Sequence, residues 1–309
     1  MSILCVGSVA LDSIETPFGS AERVVGGSAV YFAAAATVFN PVQVVGVVGD
    51  DYPLGALDFL TERGADLEGI SAKEGESFFW AGRYHFDLNT RDTLETRLGV
   101  FADFQPEIPE AFRDSRFVFL GNIDPVLQHD VLDQVSAPEV VACDTMNYWI
   151  DGSRGALVEL LRRVRILMVN DEEVRQLAGE ANLLRAARWV QERGPEIVIV
   201  KKGEHGAILF AEDWLFYVPG YPLEEIADPT GAGDAFAGGF MGHLARADSL
   251  DPADLRRAMV YGSALGSFAC ERFGVERLAT LEAPEVHRRV EEFRRITAFE
   301  SRVPAHDHV

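Results

Sequence analysis

Short apolar runs separated by polar turns recur along this 309-residue chain. Ser2 to Ala10 is such a run, followed by turn residues, which is the pattern of a buried strand. Val42 to Val48 is β-branched and almost wholly apolar, as a central parallel strand is. Phe117 to Leu120, Val140 to Cys143, Ile166 to Val169 and Ile197 to Val200 repeat the rhythm. Between the first runs, Gly26-Gly27 opens an Ala-rich helical stretch to Phe39. Pro53 to Arg63 then sets Leu54, Leu57 and Leu60 on one side before Gly64 stops it. Such alternation predicts βαβ units, hence a mainly parallel sheet with helices on both faces. From Gly231 the period is helical over 231–246, 252–270 and 283–298. Val286, Val290, Phe293 and Ile296 line one stripe of the last.

Two stretches depart from that rhythm. Residues 11–25 are short and turn-rich. Residues 77–101 are aromatic and strand-like, with Phe78, Phe79, Trp80, Tyr84 and Phe86 followed by Leu94 to Phe101. Both predict strands that leave the main sheet to build a small β-lid on a single domain spanning residues 1–300. The polar tail, 301–309, is expected to fray, and its His306 and His308 read as solvated rather than metal-binding.

Charge narrows the range of partners. With 28 basic and 49 acidic residues the formal charge is -21. Nucleic acid and anionic membrane surfaces, both bound through Lys and Arg, are therefore disfavoured. Lys73, Lys201 and Lys202 are the only lysines. That reads as genomic composition bias or, alternatively, as adaptation to high salt. Cys5, Cys143 and Cys270 form no C-x-x-C pair, against a zinc site or a disulfide framework. The start lacks a basic leader, and the most apolar stretch, Val24 to Phe39, is too short to span a membrane. A cytoplasmic, reduced protein is expected.

The densest chemistry lies in Asp228-Pro-Thr-Gly-Ala-Gly-Asp234, just before an apolar helix. Glycines allow a tight turn and close approach of a ligand to the backbone. Amides at a helix N-terminus bind anions. A carboxylate repels a bound phosphate, so Asp234 suits a second role: taking the proton of an attacking hydroxyl while the amides hold charge on a moving phosphoryl group. The competing reading is a helix-capping carboxylate. A P-loop is absent, since no Lys-Ser or Lys-Thr occurs, and Phe236 occupies the sixth position that a dinucleotide fingerprint reserves for glycine.

This segment resembles the C-terminal signature of the ribokinase-like, or PfkB, carbohydrate kinases. Gly26-Gly27 resembles that family's double-glycine motif, Asn170-Asp-Glu-Glu173 its N-x-x-E motif, and Lys202-Gly-Glu-His-Gly206 the turn that borders its nucleotide. The resemblance runs along almost the whole chain. It implies a three-layer α/β/α sandwich with a β-lid, and ATP and Mg²⁺ as cofactors, with K⁺ as a further candidate. It also implies roles: Asp234 as catalytic base, with the amides of Gly231, Ala232 and Gly233 as the anion hole. Asp12, Gly26, Gly27 and Tyr31 would bind substrate, and Asn170, Lys202, Gly203, Gly206, Thr230 and Ser263 the nucleotide. Glu173 would order Mg²⁺-bound water; a plain helix cap is the competing reading for Asn170 and Glu173. Gly262 and Gly274 fall where the adenine and monovalent-cation loops would be.

Where the family commonly carries Asn, this chain has Tyr31. With Phe78, Phe79 and Trp80 in the lid, that exchange suggests a stacking surface for a base; lid packing or a lid-to-lid homodimer is the other use for these rings. Asp144 and Asn147 are candidates for the site rim. The expected activity is ATP-dependent phosphorylation of a sugar hydroxyl. The alternatives are a nucleoside kinase of the same kind and a non-catalytic binding relative.

Overall fold

The computed structural model describes residues 2–298, so the tail with His306 and His308 lies outside the described residues. Its first strand, β1 (Ile3–Val6), is shorter than the apolar run that encodes it. The Ser8 hydroxyl takes the Ser28 amide at 3.0 Å, and the chain then leaves the main sheet. β2 (Ala10–Thr16) and β3 (Gly19–Gly26) follow as a hairpin, in the stretch expected to supply strands to the small sheet. α1 (Ser28–Ala36) is buried at every residue, which is why it is so rich in Ala. β4 (Val42–Val48) comes next. The helix expected over 53–63 divides into a 3-10 turn at Leu54–Leu57 and a short α2 (Asp58–Glu62).

β5 (Asp66–Ala72) escaped the sequence reading because it alternates polar and apolar residues at the sheet edge. β6 (Phe78–Tyr84) and β7 (Arg91–Arg97) are the aromatic stretch. Regular alternation then runs through β8 (Phe117–Leu120), α3 (Pro125–Gln134), β9 (Val140–Asp144), α4 (Asn147–Gly152), α5 (Arg154–Leu160), β10 (Ile166–Asn170), α6 (Asp171–Ala178), α7 (Leu183–Gln191) and β11 (Ile197–Lys201). β12 (Ala207–Phe210) and β13 (Leu215–Val218) add an antiparallel edge. α8 (Ala232–Ala247), α9 (Pro252–Ala269), α10 (Glu276–Ala279) and α11 (Ala283–Thr297) close the chain.

The main sheet has the order β13-β12-β11-β10-β9-β8-β1-β4-β5 and is parallel from β11 to β5. Its strands bury both faces. Ile3 and Cys5 join the cluster containing α1, α8 and α9, while Leu4 and Val6 join the one containing α3, α5, α6 and α7. This is the expected three-layer α/β/α sandwich. Stacking of Phe32 on Phe119, with centroids 4.1 Å apart, fixes α1 against β8.

The second sheet, ordered β3-β2-β6-β7, has four strands. Its two hairpins are antiparallel, and β2 pairs with β6 in parallel. The lid aromatics serve its packing. Phe78 stacks on Phe101 at 5.3 Å, Phe79 is buried beneath the Arg97 guanidinium, and the Trp80 indole donates to Thr93 at 3.3 Å.

Candidate functional site

All parallel strands end on one side of the sheet, the side where ligands bind in open α/β sheets. Chemistry gathers there. β9 ends in Asp144, β10 in Asn170 and β11 in Lys201, each closing a wholly apolar run. Lys201 Nζ lies 2.6 Å from Asp144 Oδ2, and Asp144 is 5% exposed. Burial works against the Lys201 charge, but Asp144, Glu173 and Asp234 outweigh it and hold the ammonium above its ordinary range.

Asn170 and Glu173 form a complete capping box. Glu173 N donates to Asn170 Oδ1 and Asn170 N donates to Glu173 Oε2, both at 2.7 Å. The capping alternative is thus realised, and one Glu173 oxygen is committed to it. Glu173 still faces the cleft electrostatically: burial first, then Asp144, pushes its carboxyl up to about 7, against the pull of Lys201.

The glycine-rich segment opposes these strand ends. Asp228 is fully buried; it accepts from Thr230 N at 2.8 Å and from Gly274 N at 3.1 Å, which ties the loop after α9 to the start of α8. Gly231 turns the chain with φ +72°, a conformation that favours glycine. Asp234 follows in the first turn of α8, half-buried. Burial and then Asp144 push its carboxyl up to about 7, while Lys201 and Arg91 act in the opposite sense. Of the three amides expected to face an anion, that of Ala232 is engaged with the Pro229 carbonyl at 3.2 Å. A β-carbon on Gly233 would stand 3.1 Å from Lys201 Nζ, so that ammonium borders the same turn.

Asp12 enters from β2. A β-carbon on Gly26 would lie 2.0 Å from Asp12 Oδ2, so only glycine lets the carboxylate sit there. The Gly27 amide hydrogen-bonds Asp12, yet burial, Asp228 and Asp234 push its carboxyl up to about 8. Tyr31, from α1, is buried against Gly231 and feels Asp228, Asp12 and Asp234. The structure thus brings Asp12, Gly26, Gly27, Tyr31, Gly231 and Asp234 together.

The expected nucleotide residues are arranged less uniformly. Lys202, Gly203 and Gly206 form the turn after β11, and Ser263, on α9, donates to the Pro219 carbonyl at 2.9 Å. Thr230, expected beside the nucleotide, instead donates its hydroxyl to Tyr84 of the small sheet at 3.2 Å. Asn147 opens α4 at the surface, with its side chain accepting from the Tyr148 amide. Gly262 lies in α9 against Phe236.

Three groups escaped the sequence reading. Lys201, rather than its neighbour Lys202, is the lysine that joins the acidic cluster; its place at the end of the apolar run, in register with Asn170, is the signal. Arg91 pairs in register with Tyr84, hydrogen-bonds it, and acts on both Asp234 and Glu173. Tyr84 itself bridges the small sheet to Thr230. The tip between β6 and β7 also reaches the turn after β11, where Asn89 Nδ2 lies 3.5 Å from Glu204 Oε1. Among the described residues no cluster of three or more His, Cys, Asp or Glu side chains is placed to hold a metal ion. Mg²⁺ needs less, since it commonly takes one or two carboxylates together with phosphates and water. Glu173 beside Asp144 fits that donor set. No helix among the described residues is long and apolar enough to cross a membrane.

Known proteins share this architecture. A cytidine kinase from Thermococcus kodakarensis is 28% identical over 257 residues, 81% of this chain and 91% of that protein. The nucleoside kinase of Burkholderia thailandensis, solved with inosine, superposes with a TM-score of 0.76 at 20% identity, covering 94% of this chain and 97% of that one. A candidate ribokinase II from E. coli, solved with ATP and Mg²⁺, gives a TM-score of 0.76 at 22% identity, covering 94% and 99%. Residues 2–281 match the family model described as pfkB family carbohydrate kinase. With its strand-end site and glycine-rich helix start inside that match, the chain belongs to the pfkB carbohydrate kinases, a family of phosphotransferases.

Proposed function

We propose that this kinase transfers the γ-phosphoryl group of ATP to a hydroxyl of a sugar ring, with Asp234 as base. The observation that carries the reading is the carboxyl of Asp234, held near neutrality in the first turn of α8 beside two cations, Lys201 and Arg91. A group poised near the working pH is both ionised enough to accept a proton and basic enough to draw it away. Asp234 takes the hydrogen of the acceptor hydroxyl. The acceptor oxygen then bonds to the terminal phosphorus, the bond from that phosphorus to the bridging oxygen breaks, and ADP leaves. Main-chain amides of Gly231 and Gly233, with the dipole of α8, face the charge that develops, and the Ala232 amide joins them only by releasing the Pro229 carbonyl. Lys201 and Arg91 add positive charge that acts on Asp234.

Asp12, Gly26 and Gly27 hold the acceptor, the carboxylate accepting from vicinal hydroxyls. Lys202, Gly203, Gly206 and Ser263 border the nucleotide. Mg²⁺, when bound beside Glu173, neutralises phosphate charge. The small sheet acts as a lid: its contacts through Tyr84 and Asn89 reach both sides of the cleft, a geometry that excludes water from the reacting groups.

A panel of ribose, fructose, cytidine and adenosine with ATP and Mg²⁺ tests the reading through ADP release. Acceptor-dependent release is expected from at least one. Absence of release from all four overturns it. A nucleoside acceptor is the second reading, favoured by the near full-length likeness to a cytidine kinase and by Tyr31 in place of Asn. A kcat/KM at least tenfold higher for cytidine or adenosine than for the free sugars would establish it.

A further inference from the structure

Two phenol hydroxyls are buried beside Asp12 with no hydrogen-bond partner, those of Tyr31 and Tyr52. Tyr52 follows β4 in the loop Gly49-Asp50-Asp51 and is 6% exposed; Tyr31 is 1% exposed. Both sit close enough to Asp12 for its charge to act on them, after the larger effect of burial. An unpaired buried hydroxyl forfeits its bonds to water with nothing in return, and two in one place call for an explanation. Phenylalanine would fill the same space without that cost. Nearby buried groups are paired: Ser8 with Ser28, and Asp228 with two amides. Among the described residues the two unpaired phenols both lie near the acceptor carboxylate, while the one other unpaired buried hydroxyl, that of Thr145, follows Asp144 at the end of β9.

We propose that Tyr52, together with Tyr31, is a specificity-determining part of the acceptor subsite, its hydroxyl completing a hydrogen bond to an oxygen of a polyhydroxylated ring held by Asp12. This rests on the acceptor reading above. The class of ligand is a ring that carries a vicinal diol for Asp12 and at least one further oxygen for the phenols. A ring lacking that oxygen leaves a phenol unpaired and is rejected, because a site built to bond a hydroxyl discriminates strongly against its absence.

The test uses Tyr52→Phe and Tyr31→Phe in the full chain. Calorimetric titration without ATP measures the affinity for ribose, fructose, cytidine and adenosine, and steady-state assays measure KM for ATP. Tyr52→Phe is expected to weaken the bound acceptor about tenfold or more, with KM for ATP within twofold of wild type. Its Tm should be unchanged or higher, since an unpaired hydroxyl has been removed. On 2-deoxyribose or 2′- and 3′-deoxynucleosides, at least one analogue should bind both forms equally. Acceptor affinities within twofold of wild type in both variants, on a fold of equal or greater Tm, overturn the inference while leaving phosphoryl transfer standing. Acceptor binding that responds to the variants, without any ADP release in wild type, overturns the transfer reading and supports the subsite. No binding by any of the four overturns both.

Discussion

Tyr31 lies flat against Gly231, so that a β-carbon built on the glycine would stand 2.3–2.4 Å from three atoms of the ring. The first glycine of the glycine-rich turn is therefore demanded twice, by its positive φ and by a side chain from α1. Gly231→Ala should lower stability by about 1–3 kcal/mol, the range for overpacking a tight site. It should also reduce kcat about 10²-fold by displacing the turn. Denaturant unfolding and steady-state kinetics check both. Tyr31→Ala in the same chain should recover part of the stability.

Asp234→Asn removes the carboxylate proposed as base and keeps the shape. Turnover should fall about 10²-fold or more, since base catalysis contributes about 10²–10⁴. Acceptor KM should change little. A variant with more than a tenth of wild-type kcat would remove Asp234 from the role.

The acidic cluster also makes a statement about pH. Asp12, Glu173 and Asp234 are raised in the fold to about 8, 7 and 7 from ordinary values of 3.8, 4.5 and 3.8. Between those limits the native protein holds more protons than the unfolded chain, so stability from these groups is complete below about pH 4 and is lost as pH rises to about 8. The ligand-free protein should therefore resist denaturant less at pH 8 than at pH 5. Asp12→Asn should flatten that slope, with its advantage over wild type growing toward pH 8. Catalysis runs the other way: kcat should rise with an apparent midpoint near pH 7 as Asp234 ionises.

Arg91 acts on Asp234 and Glu173 from the lid strand β7. If it meets the phosphoryl group there, Arg91→Ala should lower kcat about 10²-fold, the cost typical of one lost donor to developing charge. Arg91→Lys should recover part by restoring charge without the planar fork. An alanine variant with wild-type kcat would confine Arg91 to lid structure.

Arg63 has a structural task away from the cleft. Its guanidinium donates to the carbonyls of Leu278, Ala279 and Leu281 at 2.8, 2.6 and 2.8 Å, satisfying the end of α10. Arg63→Ala leaves those carbonyls without the cation, and should cost about 2–4 kcal/mol by thermal or denaturant unfolding, with kcat of the folded enzyme preserved.

Much of this was legible in the chain, and the exceptions have physical causes. Parallel strands announce themselves because both faces are buried, as Val42–Val48 and Ile197–Val200 illustrate. β5 and β13 stand at sheet edges with mixed burial and lose that signature. The glycine-rich segment was readable because its backbone requirement is local. Arg91 and Tyr52 act through neighbours distant in sequence, and nothing in their immediate surroundings marks them; Lys201 is marked only by closing an apolar run, as Asn170 does. Asn170 and Glu173 were ambiguous for a reason that persists in three dimensions: the same carboxylate both caps α6 and faces the cleft.

The cleft is stitched from the two ends of the polypeptide. Asp12 stands in the second strand, while Thr16 reaches across 211 positions to bond the Ala227 carbonyl just ahead of the glycine-rich turn. A nascent chain that has emerged from the ribosome only through Val218 lacks Asp234 together with α8 and α9, the helices packed with α1 in one core cluster, so that face of the sheet and the cleft beside it are completed only by the last part of the chain to be made.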